Sequence, residues 1–175
     1  MPSITTLASM RDRYYIPSRR GCPWPVHSRS RTLLSGLILW LPSWEYLQAW
    51  EDAPDFKEDY YGHPVVILSP RPSLEGTVEL LLLTSFNGKD LKGKHPHSAY
   101  VRSRYLPLFP SDRHPDNEKL LWLEHMWPTL WKKSYVNTAT VYEIEIQHLR
   151  PYDSYGSDFA LCKESYQEPI EYCGY

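Results

Sequence analysis

Two apolar runs of strand length lie close together and commit this chain to a sheet. His63-Pro64-Val65-Val66-Ile67-Leu68-Ser69 is answered by Val78 to Phe86, VELLLLTSF, across a connection that holds Pro70, Pro72 and Gly76. Runs of this length, punctuated by turn residues, read as neighbouring strands. The first begins with a titratable imidazole and the second ends in Thr84-Ser85. If the two pair in one sheet, these polar groups meet at a sheet end and form a site.

Proline shapes the rest. Sixteen Pro against eight Gly argue against long helices, because an interior Pro removes a backbone donor and clashes with the preceding turn. Seven Trp and fourteen Tyr supply bulky filling for short strands and stiff loops. The 175 residues suffice for one domain with a real core, since folding at that size removes roughly 70% of the unfolded chain's surface. A net charge of −2 excludes a uniformly basic, polyanion-coating protein. Cys22, Cys162 and Cys173 are odd in number and form no CxxC pair, which fits thiols in a reducing compartment inside the cell. No apolar run approaches the roughly 20 residues of a membrane span. Residues 1–35 have the Arg- and Ser-rich composition of an organelle transit peptide, but Pro2, Pro17, Pro23 and Pro25 spoil the amphipathic helix such a peptide needs.

Charge divides the chain into regions. Residues 1–32 read as a basic arm: Arg11, Arg13, Arg19, Arg20, Arg29 and Arg31 against Asp12, a local charge of +5, with Tyr14, Tyr15 and Trp24 interleaved. Arginines neutralise phosphate and aromatics stack on bases, so the arm suits nucleic acid; it reads equally as a terminal extension. A domain over 33–152 follows. Leu33 to Leu41 is a strand ended by Pro42, and Ser43 reads as the N-cap of a short helix over 44–52. The segment 45–59 is acidic and aromatic, with Glu45, Glu51, Asp52, Asp55, Glu58 and Asp59 against Lys57. Residues 87–103 read as a basic loop. Arg104 to Phe109 reads as an edge strand, because Pro107 has no N–H for a central ladder. In Ser134 to Leu149 the residues Tyr142, Ile144 and Ile146 alternate with Glu143, Glu145 and Gln147, which predicts one half-exposed strand. Residues 153–175 form a Tyr-rich tail with no clear pattern.

About six short strands, one or two short helices and no crossover helices predict a mainly β protein. A small, strongly bent antiparallel barrel or half-barrel with extended termini hides its sheet edges best. The order of four segments resembles the PemK/MazF family of SH3-like barrels over roughly 34–151. Gly36 to Leu41 resembles the family's first strand, His63 to Ser69 its second and Leu82-Leu83-Thr84-Ser85 the end of its third. Ser134-Tyr135-Val136 through Leu149-Arg150-Pro151 resembles its last.

That resemblance implies RNA as partner and a metal-independent endoribonuclease with no cofactor. In such an enzyme an Arg at the start of the second strand and a Thr at the end of the third act on the scissile phosphate, and the 2′-hydroxyl attacks it. It also implies a homodimer and an acidic protein inhibitor, a part that 45–59 would play in cis. Thr84 matches the family's Thr. His63 stands in place of its Arg, replacing a permanent bidentate clamp with a titratable donor fit for acid–base work.

The remaining candidates are phosphate contacts. Ser85 adjoins Thr84. Lys92, Lys94, His95 and His97 crowd one loop, and Arg102 and Arg104 fall on one side of an extended segment. His95-Pro96-His97 has no third ligand at a predictable spacing, so no metal site is expected. His114-Pro115-Asp116 reads as a turn, and Trp122, Trp127 and Trp131 as core filling or a sheet-edge cover. Beside the nuclease stands a second reading, a non-catalytic barrel that holds a protein or nucleic acid. The two separate on whether His63, Thr84 and a cation converge, or a large aromatic patch is exposed.

Overall fold

A computed structural model describes residues 34–47, 60–153 and 159–175 of the chain. The basic arm and residues 48–59 of the acidic segment lie outside the described residues, and with them both readings placed there. What is described is mainly sheet: β1 (Ile38–Leu41), β2 (His63–Ile67), β3 (Thr77–Thr84), β4 (Tyr105–Leu108), β5 (Ser134–Asn137), β6 (Tyr142–Glu145) and β7 (Arg150–Pro151). Four helices accompany it: α1 (Trp44–Leu47), α2 (Leu91–Lys94), α3 (Ala99–Arg102) and α4 (Lys163–Cys173). The seven strands form one antiparallel sheet in the order β4-β5-β3-β2-β1-β7, with β6 also on β3.

β3 organises this sheet because it is eight residues long and apolar without a break from Leu80 to Leu83. One edge pairs with β2, in the register Val65↔Leu82, Val66↔Leu81 and Ile67↔Leu80. The other edge is shared, taking β6 along Thr77 to Leu80 and β5 at Leu83 and Thr84. The single strand expected over 134–149 is therefore two, broken at Thr138, whose N–H donates to the Arg104 carbonyl at 2.9 Å. β-branched residues on both sides of that break hid it from the sequence.

The sheet is open but rolled. Crossing it from β6 through β3, β2 and β1 to β7 takes four strand spacings, about 19 Å if flat. Yet the chain covers that gap with Ile146 to Leu149, three of them in a 3₁₀ turn. Such a link reaches about 13 Å, so the two sides of the sheet curl toward each other. No ladder joins β6 to β7 among the described residues, so the closed barrel expected from sequence is not formed.

Both faces of β2 and β3 are covered, which is why their apolar residues run without alternation. Leu39, Leu41, Val65, Ile67, Leu80, Leu82, Ile144 and Leu149 meet inside the roll. Ile38, Val66, Leu68, Leu81, Leu83, Leu106 and Val136 form a second core outside it. Each fully buried aliphatic side chain contributes about 1.5–3 kcal/mol.

The outer core needs a lid, and residues 159–175 provide it, so the expected tail is part of the fold. Phe159 and Leu161 are buried, and Tyr166, Ile170, Tyr172 and Cys173 of α4 pack on the same cluster. The Tyr166 hydroxyl donates to the Leu68 carbonyl at 2.6 Å, fastening α4 to the end of β2. Gly36 makes the turn into β1 workable, because its φ of +75° lies in the left-handed region that favours glycine. Among the described residues no helix is long and apolar enough to cross a membrane.

Candidate nucleic-acid interface

The site begins where β2 starts and β3 ends. Continuing the β2–β3 register two residues beyond its last paired position sets His63 opposite Thr84. Alternation places both on the Val65, Ile67 and Leu82 face, the inner face of the roll. Both are half-buried. The Thr84 hydroxyl accepts a long bond from the Phe86 N–H at 3.4 Å. Ser85 is half-buried too; its carbonyl accepts from the Gly88 N–H at 2.8 Å, opening the 3₁₀ turn Phe86–Gly88.

That turn carries the chain into 87–103, expected to be a basic loop. It is instead two short helices, each started by a side-chain cap. The Asp90 carboxylate accepts from the Gly93 N–H at 2.5 Å, and the Ser98 hydroxyl accepts from the Val101 N–H at 3.2 Å. An N-cap is worth about 1 kcal/mol, and four-residue helices need such help because helix nucleation is unfavourable.

Aromatic packing pins this platform to the sheet end. The Phe86 ring lies 5.6 Å from His95, 5.0 Å from Tyr105 and 5.1 Å from Tyr135. Tyr135 is the partner of Thr84 in the β3–β5 ladder. His95 stacks on Tyr105 at 5.7 Å and 13°. Burial holds the His95 imidazole below its ordinary pKa, and the cations of Lys94 and Arg102 push it the same way.

Arg102 and Arg104 do not share a side, because α3 ends at Arg102 and the backbone there is not extended. Arg102 is only 8% exposed. Its Nε and Nη2 each donate to a different oxygen of Asp116 at 2.7 Å, and Nη1 donates to the His95 carbonyl at 2.7 Å. The carboxylate of Asp116 is held below its usual range by the hydrogen bond from Arg102. His114 completes the strut. Its Nδ1 accepts from the Asp116 N–H at 3.2 Å, so Nε2 carries the proton and donates to the Arg102 carbonyl at 3.0 Å. Arg102 is thus turned inward and braces the platform, a correction to its expected place on the phosphate-facing side.

Arg104 faces out. Its guanidinium lies 4.7 Å over the ring of Tyr100, and Nη2 donates to the Tyr100 hydroxyl at 2.5 Å. Tyr100 is 69% exposed, so the pair presents a planar, cationic surface to solvent. Lys89, Lys92 and Lys94 are exposed as well, and so is His97. The acids nearby are engaged, Asp90 in capping and Asp116 with Arg102. Tyr100 escaped the sequence reading because it lies on α3, in a stretch read as loop, and only the turn after that helix brings Arg104 back over its ring. His114 and Asp116 escaped it because nothing in a turn signal points to an Arg fourteen positions away.

Of the tryptophans expected to fill core or cover a sheet edge, Trp127 and Trp131 stand mostly in solvent. No family model matches the chain, and neither a curated protein nor a solved structure matches it.

Proposed function

We propose that this protein binds single-stranded RNA through the platform 86–104, with the strand running past the Thr84 end of β3. The observation that carries the reading is the division of labour within that platform. Arg102 is spent on Asp116, whereas Lys89, Lys92, Lys94 and Arg104 are exposed and Arg104 is stacked on an exposed Tyr. Exposed cations supply phosphate neutralisation, and an exposed ring with its guanidinium offers a face on which an unpaired base stacks. The rolled sheet, with its 3₁₀ link from β6 to β7, supports an SH3-like architecture of PemK/MazF type. Ser85, half-buried beside Thr84, and His95, packed among Phe86 and Tyr105, serve this reading as parts of the surface's frame.

A second reading, metal-independent cleavage with His63 as acid–base group and Thr84 as phosphate contact, is favoured by one observation: the β2–β3 ladder ends at Val65↔Leu82, two residues short of both His63 and Thr84. Incubating a labelled RNA in EDTA with wild type, His63→Ala and Arg104→Ala separates the two readings. Retention of RNA without cleavage supports binding alone. Cleavage lost in His63→Ala adds the nuclease. Wild type that neither retains nor cuts RNA overturns both.

A further inference from the structure

Among the described residues, only the turn after β3 sets neighbouring non-glycine residues in the left-handed region. Phe86, Asn87 and Gly88 follow one another at φ values of 47°, 54° and 85°. Gly adopts that region freely and Asn tolerates it, but a bulky aromatic there is strained. Such a conformation persists where its surroundings over-determine it, and it gathers at functional sites and ligand clamps. Here the surroundings are three rings. Phe86 lies 5.6 Å from His95, 5.0 Å from Tyr105 and 5.1 Å from Tyr135. Two backbone bonds close the turn across Asn87. The Gly88 N–H donates to the Ser85 carbonyl at 2.8 Å, and the Lys89 N–H donates to the Phe86 carbonyl at 3.2 Å. Phe86 is thus the anchor and Asn87 the exposed tip.

Asn87 differs from the other two asparagines of the chain, Asn117 and Asn137. The Asn117 side-chain oxygen accepts from the Lys119 N–H at 3.1 Å, and its nitrogen donates to the Tyr172 hydroxyl at 3.1 Å. The Asn137 side-chain oxygen accepts from the Ala139 N–H at 3.0 Å. The Asn87 carboxamide makes no hydrogen bond among the described residues. Its positive φ does not account for it either, since Gly would meet that demand at less strain.

We infer that Asn87 is a specificity residue that reads one base of the bound strand, and that the base is adenine; this rests on the RNA-binding reading above. A carboxamide sets an acceptor beside a donor, which matches adenine N6 and N7 in a bidentate pair. An unpaired strand leaves that edge open to a side chain. A tip fixed before binding suits the task, because less conformational freedom is lost when both bonds form.

Fluorescence anisotropy at one salt concentration tests this, with a labelled all-uridine RNA and the same RNA carrying one central adenine. Wild type should favour the adenine RNA about fivefold or more. Asn87→Asp keeps the size and the tolerance of positive φ but has no donor, so the preference should vanish; its added charge weakens both RNAs, and their ratio is the readout. Asn87→Gly should lose the preference too while melting within a few degrees of wild type. Wild type that binds both RNAs alike, or either variant keeping the preference, would overturn the role of Asn87 and leave RNA binding standing. Wild type that binds neither RNA would overturn both.

Discussion

Arg102 and Asp116 hold each other by two parallel hydrogen bonds of 2.7 Å, and the remaining Arg102 nitrogen fastens the His95 carbonyl. One guanidinium therefore joins the end of α2, the end of α3 and the turn after β4. Its five donors in a planar fork suit this; a Lys ammonium cannot span both carboxylate oxygens. Arg102→Lys and Asp116→Asn should each lower the thermal midpoint by several degrees, whereas Lys92→Ala should shift it by about a degree or less. Equal midpoints for all three in thermal melts would show that the bridge is incidental.

The same residues set a pH dependence. Asp116 is held below the ordinary carboxyl value, chiefly by the hydrogen bond from Arg102. Its contribution is present above about pH 4 and is lost as pH falls through the lowered value. His95 is also held low, by burial first and then by Lys94 and Arg102. Below about pH 6.5 the unfolded chain takes up a proton that the folded His95 refuses, so stability declines on acidification. His95→Phe keeps the stack on Tyr105 without that proton. The fall in thermal midpoint between about pH 7 and pH 5 should be shallower in this variant. An equal or steeper fall would remove His95 from the account.

The C-terminal lid should prove integral to the fold. Phe159 is buried between Tyr152, 4.8 Å away, and the outer core. Phe159→Ala should cost about 3–5 kcal/mol in chemical denaturation. A loss well under 1 kcal/mol would mean that residues 159–175 pack only loosely on the sheet.

The sheet was legible where hydrophobicity alone decides it. β2 and β3 announce themselves as continuous Val, Ile and Leu because both of their faces are buried, and Pro107 marks β4 as an edge strand correctly. The antiparallel pairing of the two runs was legible too, since a hairpin-like connection fixes their direction. Three things were not. The break between β5 and β6 falls in Thr138-Ala139-Thr140, which reads as strand as readily as turn. α4 was masked by Pro169 in its interior, although Tyr166, Ile170 and Cys173 keep the helical stripe. The opposite fates of Arg102 and Arg104 depend on Asp116, a partner brought near only by tertiary structure. Composition marks both arginines as phosphate ligands, and packing makes one of them a strut.

The central claim is an RNA surface made by Lys92, Lys94 and Arg104 beside Thr84. Fluorescence anisotropy of a labelled single-stranded RNA across a salt series tests it most directly. Wild type should show log affinity falling linearly with log salt. The Lys92→Ala, Lys94→Ala, Arg104→Ala triple variant should bind at least tenfold more weakly. Its slope should be smaller by about 2, the release expected from three lost phosphate contacts. Affinity and slope that match wild type, with the triple variant folded, would contradict the account.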